Sequence, residues 1–231
     1  MNGIDDAVKE LRKGNFVLVH DSESRENETD MVIAAEHVKP EHIARMRIDA
    51  GGLICVTLGK EIAKWLDLPF LSDVYGIAED KYPVLGYLKT GKLGYDKHSA
   101  FSISVNHRKT FTGISDADRA LTVRDLGVFC RDACKETNKY VMQKEFGKLF
   151  RSEGHVHLLI SSSLDERKGH TELTTALMGL SGLAGAAAMC EMLDAKSSKA
   201  LSPGDARGYA EKNKLAYLEG ADIINEYKKV G

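Results

Sequence analysis

The chain has 231 residues, 43% hydrophobic and 29% charged, a balance that builds a globular core and excludes a disordered or fibrous chain. Its 32 Lys and Arg stand against 34 Asp and Glu, for a net charge of −2. No global field therefore recruits nucleic acid or an anionic membrane, and a small molecule is the expected partner.

Met1 to Gly14 mixes charges without an apolar segment, so no signal peptide is read there. Ile4, Val8 and Leu11 recur at helical spacing over Ile4 to Lys13, and Gly14 is the stop. Phe16 to His20 reads as a strand. The polar stretch Asp21 to Asp30 leads into a second β-like run, Met31 to Ala35. Pro40 suits the first turn of a helix reaching about Asp49, and Gly51-Gly52 ends it before a strand over Leu53 to Leu58. Pro69 to Ser99 lacks strong periodicity and reads as a loop-rich excursion with short helical pieces, of a length that is often functional. Phe101 to Asn106 alternates as a strand, Ala117 to Cys134 reads as a helix, and His155 to Ser161 is strand-like.

Leu173 to Cys190 carries no charge, but Thr, Ser, Gly and Ala dilute it, and Glu172 and Glu191 bracket it. This predicts a buried helix from about Thr171 running into a buried strand near Ala187 to Leu193, not a bilayer span. Gly179, Gly182 and Gly185 are placed within that small-residue helix; they follow no strand and make no dinucleotide fingerprint. Ser202 is the expected N-cap of a helix with Pro203 in its first turn and Asp205 at the third position. Leu215 to Leu218 reads as a strand and Ile223 to Lys229 as a terminal helix. The alternation predicts an α+β fold, a three-layer α/β/α sandwich around a mixed, twisted β-sheet, with residues 1–231 in a single domain.

The four cysteines, Cys55, Cys130, Cys134 and Cys190, lie in apolar or helical contexts without disulfide-framework spacing, which points to a reducing cytoplasm. Cys130 and Cys134 are four apart on a helix, but no second Cys or His pair is near in sequence to complete a zinc site.

Three segments can carry chemistry. In Asp21 to Asp30 five carboxylates sit two or three residues apart, and in an extended chain Glu26, Glu28 and Asp30 share a face. Such a row needs a cation or an arginine, and hard oxygen donors favour magnesium or manganese; a solvated acidic loop is the alternative. Arg167-Lys168-Gly169-His170-Thr171-Glu172 places basic groups and a glycine at a helix start, which suits phosphate or is simply a helix cap. His107 to Arg119 combines basic groups with Thr112-Gly113 and a helix start, which suits phosphate or is an ordinary turn. His155 and His157 share a strand face, and Glu191 is a lone carboxylate in an apolar run. No G-x-x-x-x-G-K-[ST] loop is present.

Taken together, the chain resembles the 3,4-dihydroxy-2-butanone 4-phosphate synthase family, in particular its archaeal members. The hallmarks are D-x-x-x-R-E-N-E-x-D at Asp21 to Asp30, T-G-[IV]-S at Thr112 to Ser115, G-H-V at Gly154 to Val156 and R-x-G-H-T-E at Arg167 to Glu172. They occur in the family's order, and the resemblance spans roughly residues 4 to 195. It implies conversion of D-ribulose 5-phosphate to L-3,4-dihydroxy-2-butanone 4-phosphate and formate in riboflavin biosynthesis. The cofactor implied is Mg2+ or Mn2+, two ions per site, held by Glu26 and His170, and the assembly implied is a homodimer. Substrate contacts fall to Arg25, Glu26, Asp30, Thr112, Arg167, Lys168, Gly169, His170, Thr171 and Glu191. The catalytic candidates are Glu28, Asp30, His155 and Glu191.

Overall fold

The computed structural model describes residues 3–89, 94, 96, 99–133 and 138–230. Apolar residues alternate along its strands, and this alternation sorts two cores onto opposite faces of one sheet. The strands are Val17–His20 (β1), Thr29–Ala34 (β2), Cys55–Leu58 (β3), Phe101–His107 (β4), Phe150–Ile160 (β5), Ala186–Glu191 (β6) and Ala216–Glu219 (β9). Leu193–Asp194 (β7) and Lys199–Ala200 (β8) pair separately as a short hairpin. The order in the seven-stranded sheet is β4-β5-β3-β6-β2-β1-β9. The β3/β5 and β1/β9 pairs are parallel and the other pairs antiparallel, so the sheet is mixed, as expected.

Leu18, Met31, Ile33, Val56 and Ala188 point to one side, where Pro40–Arg45 (α2), Asp116–Ala133 (α6), Lys139–Leu149 (α7) and Pro203–Asn213 (α9) cover them. Val17, Val19, Val32, Ala34 and Met189 point to the other, under Ile4–Arg12 (α1), His170–Leu180 (α8) and Gly220–Val230 (α10). Helices thus flank both faces of an α+β sheet. A fully buried Leu or Ile contributes about 1.5–3 kcal/mol, so these rows hold the layers together.

Small residues set how closely the layers approach. A Cβ built on Gly127 of α6 would lie 2.2 Å from the Glu36 amide nitrogen and 2.6 Å from the Ala35 carbonyl carbon. Alanine in a helix is ordinarily better than glycine by up to about 1 kcal/mol. Here the clash is with backbone that cannot swing aside, and overpacking costs about 1–3 kcal/mol, so it outweighs the propensity gain. Gly127→Ala should therefore lower stability in denaturant unfolding; an unchanged or raised midpoint would refute this packing argument.

Several expectations need correction. The helix begun at His170 ends at Leu180, and Gly182 turns the chain with a φ of +64°, so Gly182 and Gly185 lie outside it. Ser181 Oγ donates to the Leu177 carbonyl and helps close that end. The terminal helix starts at Gly220, three residues before the apolar repeat that signals it. Lys60–Leu66 (α3) and α7 were not anticipated, although Asn138 is a readable N-cap that accepts from the Tyr140 and Val141 amides. The excursion between β3 and β4 holds Leu71–Ala78 (α4) and Val84–Tyr87 (α5), the short helical pieces expected. Cys134, and residues 90–93, 95, 97 and 98 of that excursion, lie outside the described residues. Among the described residues no helix is long and apolar enough to cross a membrane.

Candidate active site

The ends of β1, β2 and β6 and the first turn of α8 meet at one edge of the sheet. Register places Asp30 opposite both Val19 and Glu191, and His20 opposite Thr29, so the acidic loop leaves β1 and returns into β2 beside Glu191. The loop is not extended, which corrects the expectation that Glu26, Glu28 and Asp30 line one face of a strand. Asp21 closes it: Oδ2 accepts from the Glu26 amide at 3.0 Å and Oδ1 from the Glu28 amide at 3.1 Å. Asn27 turns the chain between them with a φ of +55°.

This tight loop delivers Glu26 to His170. Glu26 Oε2 lies 3.2 Å from His170 Nδ1, and the Glu28 carbonyl lies 3.2 Å from Nε2. Both partners are acceptors, so both ring nitrogens donate and the imidazole carries a positive charge. Burial opposes that charge, yet Asp30, Glu26 and Asp21 overcome it and push the His170 pKa up to about 9. Asp30 is fully buried, and neither carboxylate oxygen finds a hydrogen-bond partner among the described residues. Burial pushes its pKa up to about 8 against the pull of His170, 3.7 Å away. Burial likewise raises Glu28, with Glu26 close by, whereas the hydrogen bond from His170 lowers Glu26. Asp21, Glu26 and His170 each bring a ligand atom within 4.8 Å of the others, the donor set of a cation site.

An arginine layer adjoins these acids. Arg167 Nη1 donates to Glu172 Oε2 at 2.6 Å and its Nε to Asp96 Oδ2 at 2.8 Å. Arg25 grips the same Asp96 through two bonds of 3.2 and 2.7 Å. A Cβ on Gly169 would meet the Arg167 guanidinium at 2.7 Å, so only glycine lets the arginine lie across the helix start. Glu191 is half-buried; its Oε2 accepts from the Leu53 amide at 2.8 Å. A Cβ on Gly52 would fall 2.4 Å from that oxygen.

Glu26, Asp30, Arg167, His170, Thr171 and Glu191 together line a cleft of about 140 Å3, floored by Phe101, Leu159 and Met189. Beyond Arg25, Asp96 and Arg167 a wider depression of about 980 Å3 opens, and Lys168 lies there. The wider space holds neither His170 nor Glu191 on its walls; both line the smaller cleft. Thr112 and His155 line neither cavity. His155 is exposed and packs against Asn106, which accepts from the His155 amide at 2.9 Å, and a Cβ on Gly113 would fall 2.1 Å from the same Asn106 side chain. His107 is buried with an edge-on contact to Phe150, and Arg108 donates to the Gly147 carbonyl, so two of the three basic groups before Thr112 already have partners. Asp21 belongs to the acidic row but not to the expected ligands or catalytic groups, and Asp96 is outside every expected site segment. Asp21 sits at the head of the acidic loop, a readable signal, whereas Asp96 has none that is local.

The model of the 3,4-dihydroxy-2-butanone 4-phosphate synthase family matches residues 5–226. A synthase of that name from the archaeon Methanothermobacter thermautotrophicus is 49% identical over 97% of this chain and 95% of its own length. A riboflavin biosynthesis protein, RibBA, of Bacillus subtilis is 32% identical over 96% of this chain, which spans 48% of that protein. Among solved structures, a 3,4-dihydroxy-2-butanone 4-phosphate synthase in complex with two magnesium ions superimposes with a TM-score of 0.77 at 28% identity, covering 99% of this chain and 98% of the other.

Proposed function

The chain belongs to the 3,4-dihydroxy-2-butanone 4-phosphate synthase family, and from that premise we propose that it converts D-ribulose 5-phosphate to L-3,4-dihydroxy-2-butanone 4-phosphate and formate. The reading places it in riboflavin biosynthesis as a lyase acting through enediolate formation, dehydration, skeletal rearrangement and loss of C4. The observation that carries it is the meeting of Glu26, Asp30, His170 and Glu191 with Arg167 around one small cleft.

The residues fit magnesium or manganese. Asp30 has two buried oxygens without hydrogen-bond partners among the described residues, and the donor set of carboxylates and one imidazole is hard enough for either ion. Glu26 and His170 would hold two ions, with Asp21 shaping the loop through its two amide contacts. Nδ1 of His170 must give up its proton to act as a ligand. Bound metal supplies Lewis-acid stabilisation of the charge that develops next to a ketose carbonyl.

The remaining roles fall to the chain's own groups. Arg167, the amides from Gly169 to Thr171 at the start of α8, and Arg25 receive the phosphate, because a dianion is met by guanidinium and by a positive helix end. Asp30, its carboxyl pKa raised by burial to about 8, is suited to carry a proton near neutral pH, and Glu28, raised by burial as well, is the second candidate. Glu191, held by the Leu53 amide, faces the same cleft. Lys168 supports the phosphate from the wider side.

A homodimer completes the reading. Phe111, next to Thr112 in the chain, is 92% exposed, and a large apolar side chain left in solvent there suits cover by a second copy. Thr112 and His155 then act on a cleft from across the interface. The seven strands drawn from residues 17 to 219 into one sheet support a single domain over 1–231. Buried Cys55 and Cys190, which form no disulfide among the described residues, accord with a cytoplasmic setting.

The test is direct. Purified protein given ribulose 5-phosphate and Mg2+ should release formate in proportion to substrate consumed. Chelation should stop it and re-added Mg2+ or Mn2+ restore it. Substrate consumption without formate would instead indicate a metal-assisted isomerase or aldolase.

A further inference from the structure

One buried polar group beside the cleft has no part in the reaction just described. His20 ends β1, and in the sheet it stands opposite Thr29 on β2 and Glu219 on β9. Only 5% of its side chain is exposed, deep enough that its contacts are not solvent-averaged. Its Nδ1 lies 2.6 Å from Glu219 Oε2 and its Nε2 3.1 Å from Asn27 Oδ1. A carboxylate and a carboxamide oxygen both accept, so in each of these contacts the hydrogen lies on the His20 ring nitrogen. Arg207 of α9 pairs with the other Glu219 oxygen. A continuous line of contacts therefore runs from α9 through β9 and β1 into the acidic loop.

Asn27 is where that line ends, and its backbone lies in the left-handed region. It holds a φ of +55° between Glu26 and Glu28. Asparagine tolerates the left-handed region better than most residues, but such a conformation persists when surrounding contacts hold it. Releasing the turn would carry the Glu26 carboxylate away from His170 Nδ1 and the Glu28 carbonyl away from Nε2. Strand β9 lends no side chain to the smaller cleft, and the side-chain contact that joins Glu219 to the acidic loop runs through His20.

Resting on the metal-assisted reading above, we propose that His20 and Glu219 are positioning residues: Glu219 anchors the imidazole, which holds Asn27 in its left-handed turn and so presents Glu26 to the metal. Removal of an outer partner of a metal ligand commonly weakens the metal by about 10–100-fold.

Binding of Mn2+, followed by loss of the free-ion paramagnetic resonance signal, tests this without turnover. His20→Ala and Glu219→Ala should weaken Mn2+ by about tenfold, with kcat at saturating metal little changed. Glu219→Gln, which keeps an acceptor oxygen, should recover part of the loss. Asn27→Gly adopts positive φ without a tether, so adding Glu219→Ala to it should weaken Mn2+ no further. A merely structural link between β1 and β9 would instead give additive losses. Melting without metal reports whether each variant is folded. Wild-type Mn2+ affinity in folded His20→Ala and Glu219→Ala overturns the proposal, as does additivity in the double variant. Should Glu219→Ala fail to fold, a weakening in Glu219→Gln that vanishes in the Asn27→Gly background supports the assignment, and no weakening overturns it. A wild type that binds Mn2+ but releases no formate refutes the reaction, while the positioning role is decided by the Mn2+ titrations alone.

Discussion

Replacing Glu26 by Gln or His170 by Ala should cut metal-dependent formate release by about a thousandfold or more, since Lewis-acid stabilisation worth about 4 kcal/mol of barrier corresponds to that factor. The chain should stay folded in both cases, for reasons visible in the site. Glu26→Gln keeps an acceptor for His170 Nδ1 at the same reach. His170→Ala removes the cation beside Asp30, but burial already pushes the Asp30 pKa up to about 8. With that pKa Asp30 already holds a proton at neutral pH and keeps it more firmly once the cation is gone, so no bare buried charge is left behind. Calorimetry with Mg2+ and a substrate analogue checks the metal, and circular dichroism checks the fold. Wild-type metal affinity in both variants would place the ion elsewhere, with Asp21 and Asp30 the next ligands to replace.

Arg167→Ala should weaken ribulose 5-phosphate by at least about a hundredfold, because two lost charge-assisted hydrogen bonds contribute about 1.5–3 kcal/mol each. The geometry adds a second consequence. Arg167 is paired with Glu172, which is 1% exposed, and with Asp96, so its removal strands a buried carboxylate and should lower the melting temperature too. Adding Glu172→Gln to Arg167→Ala should recover stability without recovering affinity, which separates the two effects. Arg167→Lys should restore affinity only in part, since one ammonium cannot span Glu172, Asp96 and a phosphate as the guanidinium fork does. Normal affinity in Arg167→Ala, with no loss of discrimination against unphosphorylated ribulose, would move phosphate recognition to Arg25 and Lys168. His107 to Lys109 are poor substitutes, because His107 is buried against Phe150 and Arg108 is tied to the Gly147 carbonyl.

Local signals made most of the fold and the chemical inventory of the site legible in the sequence alone. Helical spacing of Ile4, Val8 and Leu11, the Ser202 cap with Pro203, and alternation along β4 depend on neighbours within one or two turns, and each appears where that spacing puts it. The acids of Asp21 to Asp30 and the basic start of α8 were readable in the same way, as residue types at short separation. What local spacing cannot contain is which distant residues meet. Glu26 and His170 are 144 residues apart and touch because β6 lies beside β2 with Glu191 opposite Asp30, while α8 packs across that face. The compact shape of the acidic loop was likewise decided by Asp21 capturing two amides, a contact that outweighs the extended form suggested by alternating carboxylates. Asp96 bridging Arg25 and Arg167, and Glu219 reaching Asn27 through His20, join segments far apart in the chain. Such contacts become favourable only after the sheet has brought their strands together, because loop closure over so many residues costs entropy that no local pattern repays.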